Sequence, residues 1–120
     1  MALPSSKRKV RSTLNRDTGE SAANTQLTVS TTLAEIVRVL FVTVKYSAAV
    51  TQNVTITLKS GKGTSWDTLL QTIALSGASD GVFIPDEVLY IEADDNIDVV
   101  APAGGAGVTS AIAIYTEIPW

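Results

Sequence analysis

The side chains able to do chemistry in this chain are carboxylates, lysines, arginines and hydroxyls, because its 120 residues include neither histidine nor cysteine. The commonest general base, the thiolate nucleophile and most transition-metal ligands are therefore missing. Asp86-Glu87 and Asp94-Asp95 are the acid pairs that a glycosidase would draw on, but neighbouring acids in the turns of an acidic domain read as solvated side chains. Asp94-Asp95-Asn96-Ile97-Asp98 sets oxygen ligands at alternating positions, as the opening of a calcium loop does. The series then breaks, with Val99 where the loop needs a glycine and Gly105 where it needs a bidentate acid. A turn held by Asx side-chain hydrogen bonds accounts for it, so no metal and no cofactor are expected. Gly61-Lys62-Gly63-Thr64-Ser65 has the composition of a phosphate loop without its glycine spacing, and it joins two strands where a strand and a helix are required. A hairpin turn is the better reading. These residues predict a protein that is not an enzyme.

Binding is a different matter, because the charges are segregated. Residues 1–16 hold Lys7, Arg8, Lys9, Arg11 and Arg16 with no acid, a balance of +5. Residues 17–120 hold four basic residues against all twelve acids, a balance of −8. The cluster Lys7-Arg8-Lys9-Val10-Arg11 is thus a candidate partner-binding segment, and three readings compete for it: nucleic-acid phosphates, an acidic protein surface, or a solvated tail. Residues 1–24 contain no aromatic side chain to stack on bases and the body is acidic, so protein docking is preferred over nucleic acid. Trp120 is a second candidate, since tryptophan buries much area at an interface for little entropy. Folding back onto its own sheet is the competing reading for Trp120. The opening residues carry no apolar run, and no stretch is long enough to cross a bilayer, so neither a secretion signal nor a membrane partner is expected. The glycosylation sequon Asn53-Val54-Thr55 is set aside for the same reason.

The segments that carry these side chains read as strands. The chain is 45% hydrophobic, rich in Val, Ile, Leu, Ala and Thr, and of a length that builds one core. Residues 1–24 are too polar to fold alone and predict an extended basic arm; residues 25–120 predict the domain. From Thr25 the pattern has period two, the spacing that sends alternate side chains to opposite faces of a sheet. Leu27 and Val29, then Leu40, Val42, Val44 and Tyr46, then Val54, Ile56 and Leu58 form apolar faces. Trp66–Leu75 continues as a strand with its alternation blurred at Leu69-Leu70, and 76–81 reads as a loop. Short strands follow at 82–84, 88–92 and 97–101, and a long one at 108–118 alternates Ile112 and Ile114 with Ala111, Ala113 and Tyr115. Seven or eight strands with turns between them and no helical pattern predict an antiparallel β-sandwich, jelly-roll or Greek-key-like. Leu40, Val42, Val44, Val54, Ile56, Leu58, Ile112 and Ile114 are its expected interior. The small side chains Thr109, Ala111 and Ala113 predict close packing, within the domain rather than against another subunit.

Val54-Thr55-Ile56-Thr57-Leu58 with its glycine turn, Trp66-Asp67-Thr68-Leu69-Leu70, Ile84-Pro85-Asp86-Glu87, Ala93-Asp94-Asp95-Asn96-Ile97-Asp98-Val99 and Ala111-Ile112-Ala113-Ile114-Tyr115-Thr116-Glu117 together resemble small β-sandwich structural proteins of tailed bacteriophage virions. The likeness spans roughly residues 39–118 and leaves out the basic arm. It implies a capsid decoration or cement protein, assembled in the bacterial host cytoplasm and carried on the virion. Its partners would be the major capsid protein or other virion proteins, and copies of itself in a homo-oligomer. A neck or tail accessory protein is the alternative within the particle, and a receptor- or carbohydrate-binding β module is the alternative outside it.

Overall fold

The computed structural model describes residues 13–119. Nine strands run in chain order: β1 (Thr13–Glu20), β2 (Leu27–Ser30), β3 (Val37–Val50), β4 (Asn53–Lys59), β5 (Thr68–Ala74), β6 (Ala78–Phe83), β7 (Leu89–Ile91), β8 (Asn96–Ala101) and β9 (Ser110–Ile118). They form two antiparallel sheets. One is ordered β1-β9-β3-β6, with β7 continuing beside β3, and the other is ordered β2-β8-β4-β5.

The pairings have a simple origin. β1 pairs with β9, β2 with β8, β3 with β6 and β4 with β5, so the first half of the chain lies against the second as one long hairpin turning between β4 and β5. Rolling that hairpin up brings β9 against β3 and β8 against β4. This is the jelly roll, and it fixes the two-layer sandwich expected from the strand pattern.

Where the sheets meet, their inward side chains interlock. Val37, Val39, Val42, Val44 and Tyr46 of β3, with Ile112 and Ile114 of the neighbouring β9, face Val54 and Ile56 of β4 and Ile97 and Val99 of β8 in one buried cluster. At the two corners the sheets approach too closely for a side chain. A Cβ on Gly19 of β1 would sit 2.7 Å from Val29 of β2, and one on Gly81 of β6 would sit 2.7 Å from Ile73 of β5. Glycine at these inward positions lets β1 close on β2 and β6 on β5.

Four expectations need correction. The sandwich starts at Thr13 and not at Thr25: β1 keeps unbroken register with β9 from Thr13↔Ile118 to Glu20↔Ala111. Its inward positions are Asn15, Asp17 and Gly19, so it has no apolar face to betray it. Asp17 instead accepts hydrogen bonds from Asn15 (3.2 Å) and Thr32 (2.7 Å). Arm residues 1–12 lie outside the described residues, while Ser21 and Asn24 donate their N–H groups to the carbonyls of Ser110 and Val108.

Second, Leu40 and Leu58 are only partly buried, whereas Val42, Val44, Val54, Ile56, Ile112 and Ile114 are buried as expected. Leu40 is the extra residue of a bulge between Val39↔Thr116 and Phe41↔Tyr115, so the core face of β3 shifts phase from Val37 and Val39 to Val42 and Val44. Third, the stretch read as a loop at 76–81 contributes most of β6; its inward Ser79 and Gly81 hide the alternation. In β5 the blurred Leu69-Leu70 is likewise a bulge, and Trp66 belongs to a 3-10 turn before the strand. Fourth, Ala111 and Ala113 point out of the sandwich, since Ile112 and Ile114 between them are buried.

Candidate protein-docking face

The outward side chains of the first sheet fall into rows set by strand pairing. Leu14 of β1, Glu117 of β9, Arg38 of β3 and Tyr90 of β7 form the first row, and Arg16, Tyr115 and Phe41 form the second. Thr18, Ala113, Thr43 and Val82 form the third, and Glu20, Ala111, Lys45 and Asp80 the fourth. Aromatic side chains lie in the first two rows, beside the charges of Arg38, Glu117 and Arg16, and the fourth row is charged without an aromatic.

Its centre is the second row. The rings of Phe41 and Tyr115 stack with centroids 4.2 Å apart and planes 21° from parallel, and the Arg16 guanidinium lies 5.8 Å from the centroid of the Tyr115 ring. Beside them Arg38 pairs with Glu117 at 3.3 Å. The third and fourth rows are floored by Ala111 and Ala113, whose small side chains leave an open groove of about 640 Å³ between Thr18 and Glu20 on one side and Thr43 and Lys45 on the other. Arginine and aromatic side chains are the types enriched where proteins bind proteins.

The apolar surface continues past the sheet edge. Val82, Ile84, Val88 and Tyr90 are each more than half exposed, and the bulge delivers Leu40 to a shallow hollow lined by Ile84, Pro85 and Val88. The opposite sheet presents an exterior richer in hydroxyls, with Thr28, Ser30, Thr55, Thr57, Thr72 and Asp98 across its four strands, interrupted by Val100 and by Leu69, which is 57% exposed. The first sheet and its rim carry more of the exposed large apolar side chains, Leu14, Val82, Ile84, Val88 and Tyr90, than the second sheet and its connections, where Leu69 and Trp66 are exposed.

Three acidic side chains, Asp95, Asp98 and Asp67, tie neighbouring segments together. Asp95 accepts the Gly61 N–H at 2.8 Å, tying the β7–β8 turn to the β4–β5 turn. Asp98 accepts from Ser30 and from Asn96, each at 2.6 Å. Asp67 accepts the Ser60 N–H at 2.9 Å and pairs with Lys59 at 2.8 Å; the Lys59 ammonium and that N–H hold its carboxyl below the ordinary value, while Asp67 raises the lysine. Among the described residues no three acidic side chains gather where they could share a metal ion.

Of the residues singled out from sequence, Lys7, Arg8, Lys9, Val10, Arg11 and Trp120 lie outside the described residues. What the structure does place is the point from which both segments leave. Thr13 pairs with Ile118, so the basic cluster and Trp120 are attached at the same corner of the sheet, next to Leu14, which is 71% exposed. The aromatic row escapes sequence reasoning because Arg16, Phe41 and Tyr115 come from three distant strands. The available signal is that Phe41 and Tyr115 are large aromatics on the outward beat of strongly alternating strands. No protein-family model matches this chain, and no curated protein matches it.

Proposed function

We propose that this chain is a non-enzymatic structural protein of a tailed-phage virion, a capsid decoration or cement protein that docks on the outer shell through the exterior face of its first sheet. The observation that carries the docking is the solvent-facing row Arg16–Tyr115–Phe41 with the apolar rim beside it. A stacked aromatic pair on the outside adds nothing to the core and offers a rigid anchor to a partner. The jelly roll is a recurrent unit of viral shells, and the resemblance across residues 39–118 points the same way. A fold hosts many functions, so the face and not the fold bears the weight of this reading. The basic segment 7–11 would add contacts to an acidic neighbour from the corner where it is attached, several weak pairs acting together.

The test is the copy number of the chain in purified particles of the phage that encodes it, measured by quantitative mass spectrometry with immunogold labelling. A number matching the shell lattice and label over the head support decoration. A single ring's worth of copies with label at the portal or tail moves the chain to the neck or tail, and absence from particles overturns the virion reading. A receptor- or glycan-binding module is the second reading, favoured by Trp66, which is 63% exposed on the β4–β5 connection. Glycan binding abolished by Trp66→Ala would support it.

A further inference from the structure

Natural sandwiches blunt their edge strands, since a long regular edge is a template for another chain. Four of the five edge strands here are blunted. β2 has four residues and β7 three; β5 is bulged at Leu70, and the pairing of β6 with β3 breaks register and ends just before Pro85. β1 is the exception, with eight residues, no proline, no bulge and, among the described residues, β9 as its one partner. Ser21, next in the chain, donates its N–H to the Ser110 carbonyl at 2.8 Å. By the alternation of antiparallel hydrogen bonds, the backbone groups of Asn15, Asp17 and Gly19 also point at β9. Those of Leu14, Arg16, Thr18 and Glu20 lie on the open edge.

We propose that this edge pairs with the same edge of a second copy, antiparallel and centred on Thr18, so that Arg16 of each copy lies opposite Glu20 of the other. The charges select this register. Centring on Arg16 sets Arg16 against Arg16, centring on Asp17 sets Asp17 against Asp17, and centring on Gly19 brings no charge opposite another. Centring on Thr18 gives two Arg16–Glu20 pairs, Thr18 against Thr18, and Asp17 opposite the side-chain-free Gly19. All three outward pairs are then hydrogen-bonded pairs of the ladder. The contact is isologous, as a two-fold dimer requires. It makes one continuous sheet ordered β6-β3-β9-β1-β1-β9-β3-β6, with the two aromatic rows side by side on one exterior. The inference rests on the strand edge alone and stands apart from the virion reading.

Sedimentation equilibrium of the purified full chain tests it. The wild type is expected to dimerise, and Arg16→Glu and Glu20→Arg each to weaken the dimer by roughly ten- to a hundredfold, because each sets like charges opposite at two symmetric positions. Mixing the two variants in equal amounts restores the dimer as a heterodimer, since every reversed charge then meets its opposite. That rescue separates the edge from the loss of the Arg16 contact with Tyr115, which mixing cannot repair. A wild type that stays monomeric at all concentrations, variants that dimerise like the wild type, or a mixture that fails to recover would each overturn the proposal.

Discussion

Phe41 and Tyr115 lie directly opposite one another on β3 and β9, with ring centroids 4.2 Å apart on the solvent side of the sheet. A cross-strand aromatic pair of this kind contributes about 0.5–1.5 kcal/mol beyond its buried area. The double variant Phe41→Ala, Tyr115→Ala should therefore remain folded and melt only a few degrees lower. If the chain is the decoration protein proposed above, the variant's loading onto particles, measured by co-sedimentation, should fall sharply. Full loading by a folded double variant would show that the partner binds elsewhere.

The interior makes a sharper demand. Ile56 is fully buried between the sheets, and Ile56→Asp would place an unpaired charge there, a change of more than about 4 kcal/mol that should abolish the cooperative thermal transition. On β3 the bulge predicts an asymmetry between neighbours. Val42→Ala should cost about 2 kcal/mol in denaturant titrations, while Leu40→Ala, at the half-exposed bulge residue, should cost less than about 1 kcal/mol. Equal losses at the two positions would mean that the phase shift is wrong.

These two positions also show what could be read from the residues. Strands with an apolar inward beat, such as Val42 and Val44 or Val54 and Ile56, declare both their existence and their buried face, because the side-chain period is fixed by the pleat. A bulge erases that signal locally: one inserted residue moves Leu40 off the face that Val42 occupies. β1 and the first part of β6, Ala78 to Gly81, are illegible for another reason. Their inward positions, Asn15, Asp17, Gly19 and Gly81, are polar or bare, because they sit at corners where the sheets close. The candidate docking face is illegible because it exists only through pairing register, which sets Arg16, Phe41 and Tyr115 side by side from strands far apart in the chain.

Thr116 is buried on β9, and its hydroxyl has no hydrogen-bond partner among the described residues. A buried hydroxyl left unpaired costs about 1–3 kcal/mol, and valine has nearly the same shape without it. Thr116→Val should raise the melting temperature by several degrees without changing the denaturant m-value. An unchanged or lower melting temperature would indicate that the hydroxyl is satisfied in solution.

Lys59 and Asp67 predict how stability responds to pH at one end of the sandwich. Asp67 is held below its ordinary value of 3.8, first by the hydrogen bond from Lys59 and then by the Ser60 N–H. A carboxyl with a depressed folded value contributes stability that is fully present above the unfolded value and is lost as pH falls through the folded one. Lys59 is raised above 10.5 by the same contact, so its share is present below that value and is lost as pH climbs past the raised one. Between these limits the pair is intact. Asp67→Asn should accordingly lower the melting temperature across the neutral range, and the gap to wild type should close as pH drops below about 4. Raising the salt concentration should narrow the gap at neutral pH, because the pair is partly exposed and screened. A difference between wild type and variant that stays constant down to the acid limit would show that the loss does not arise from the charge on the Asp67 carboxyl.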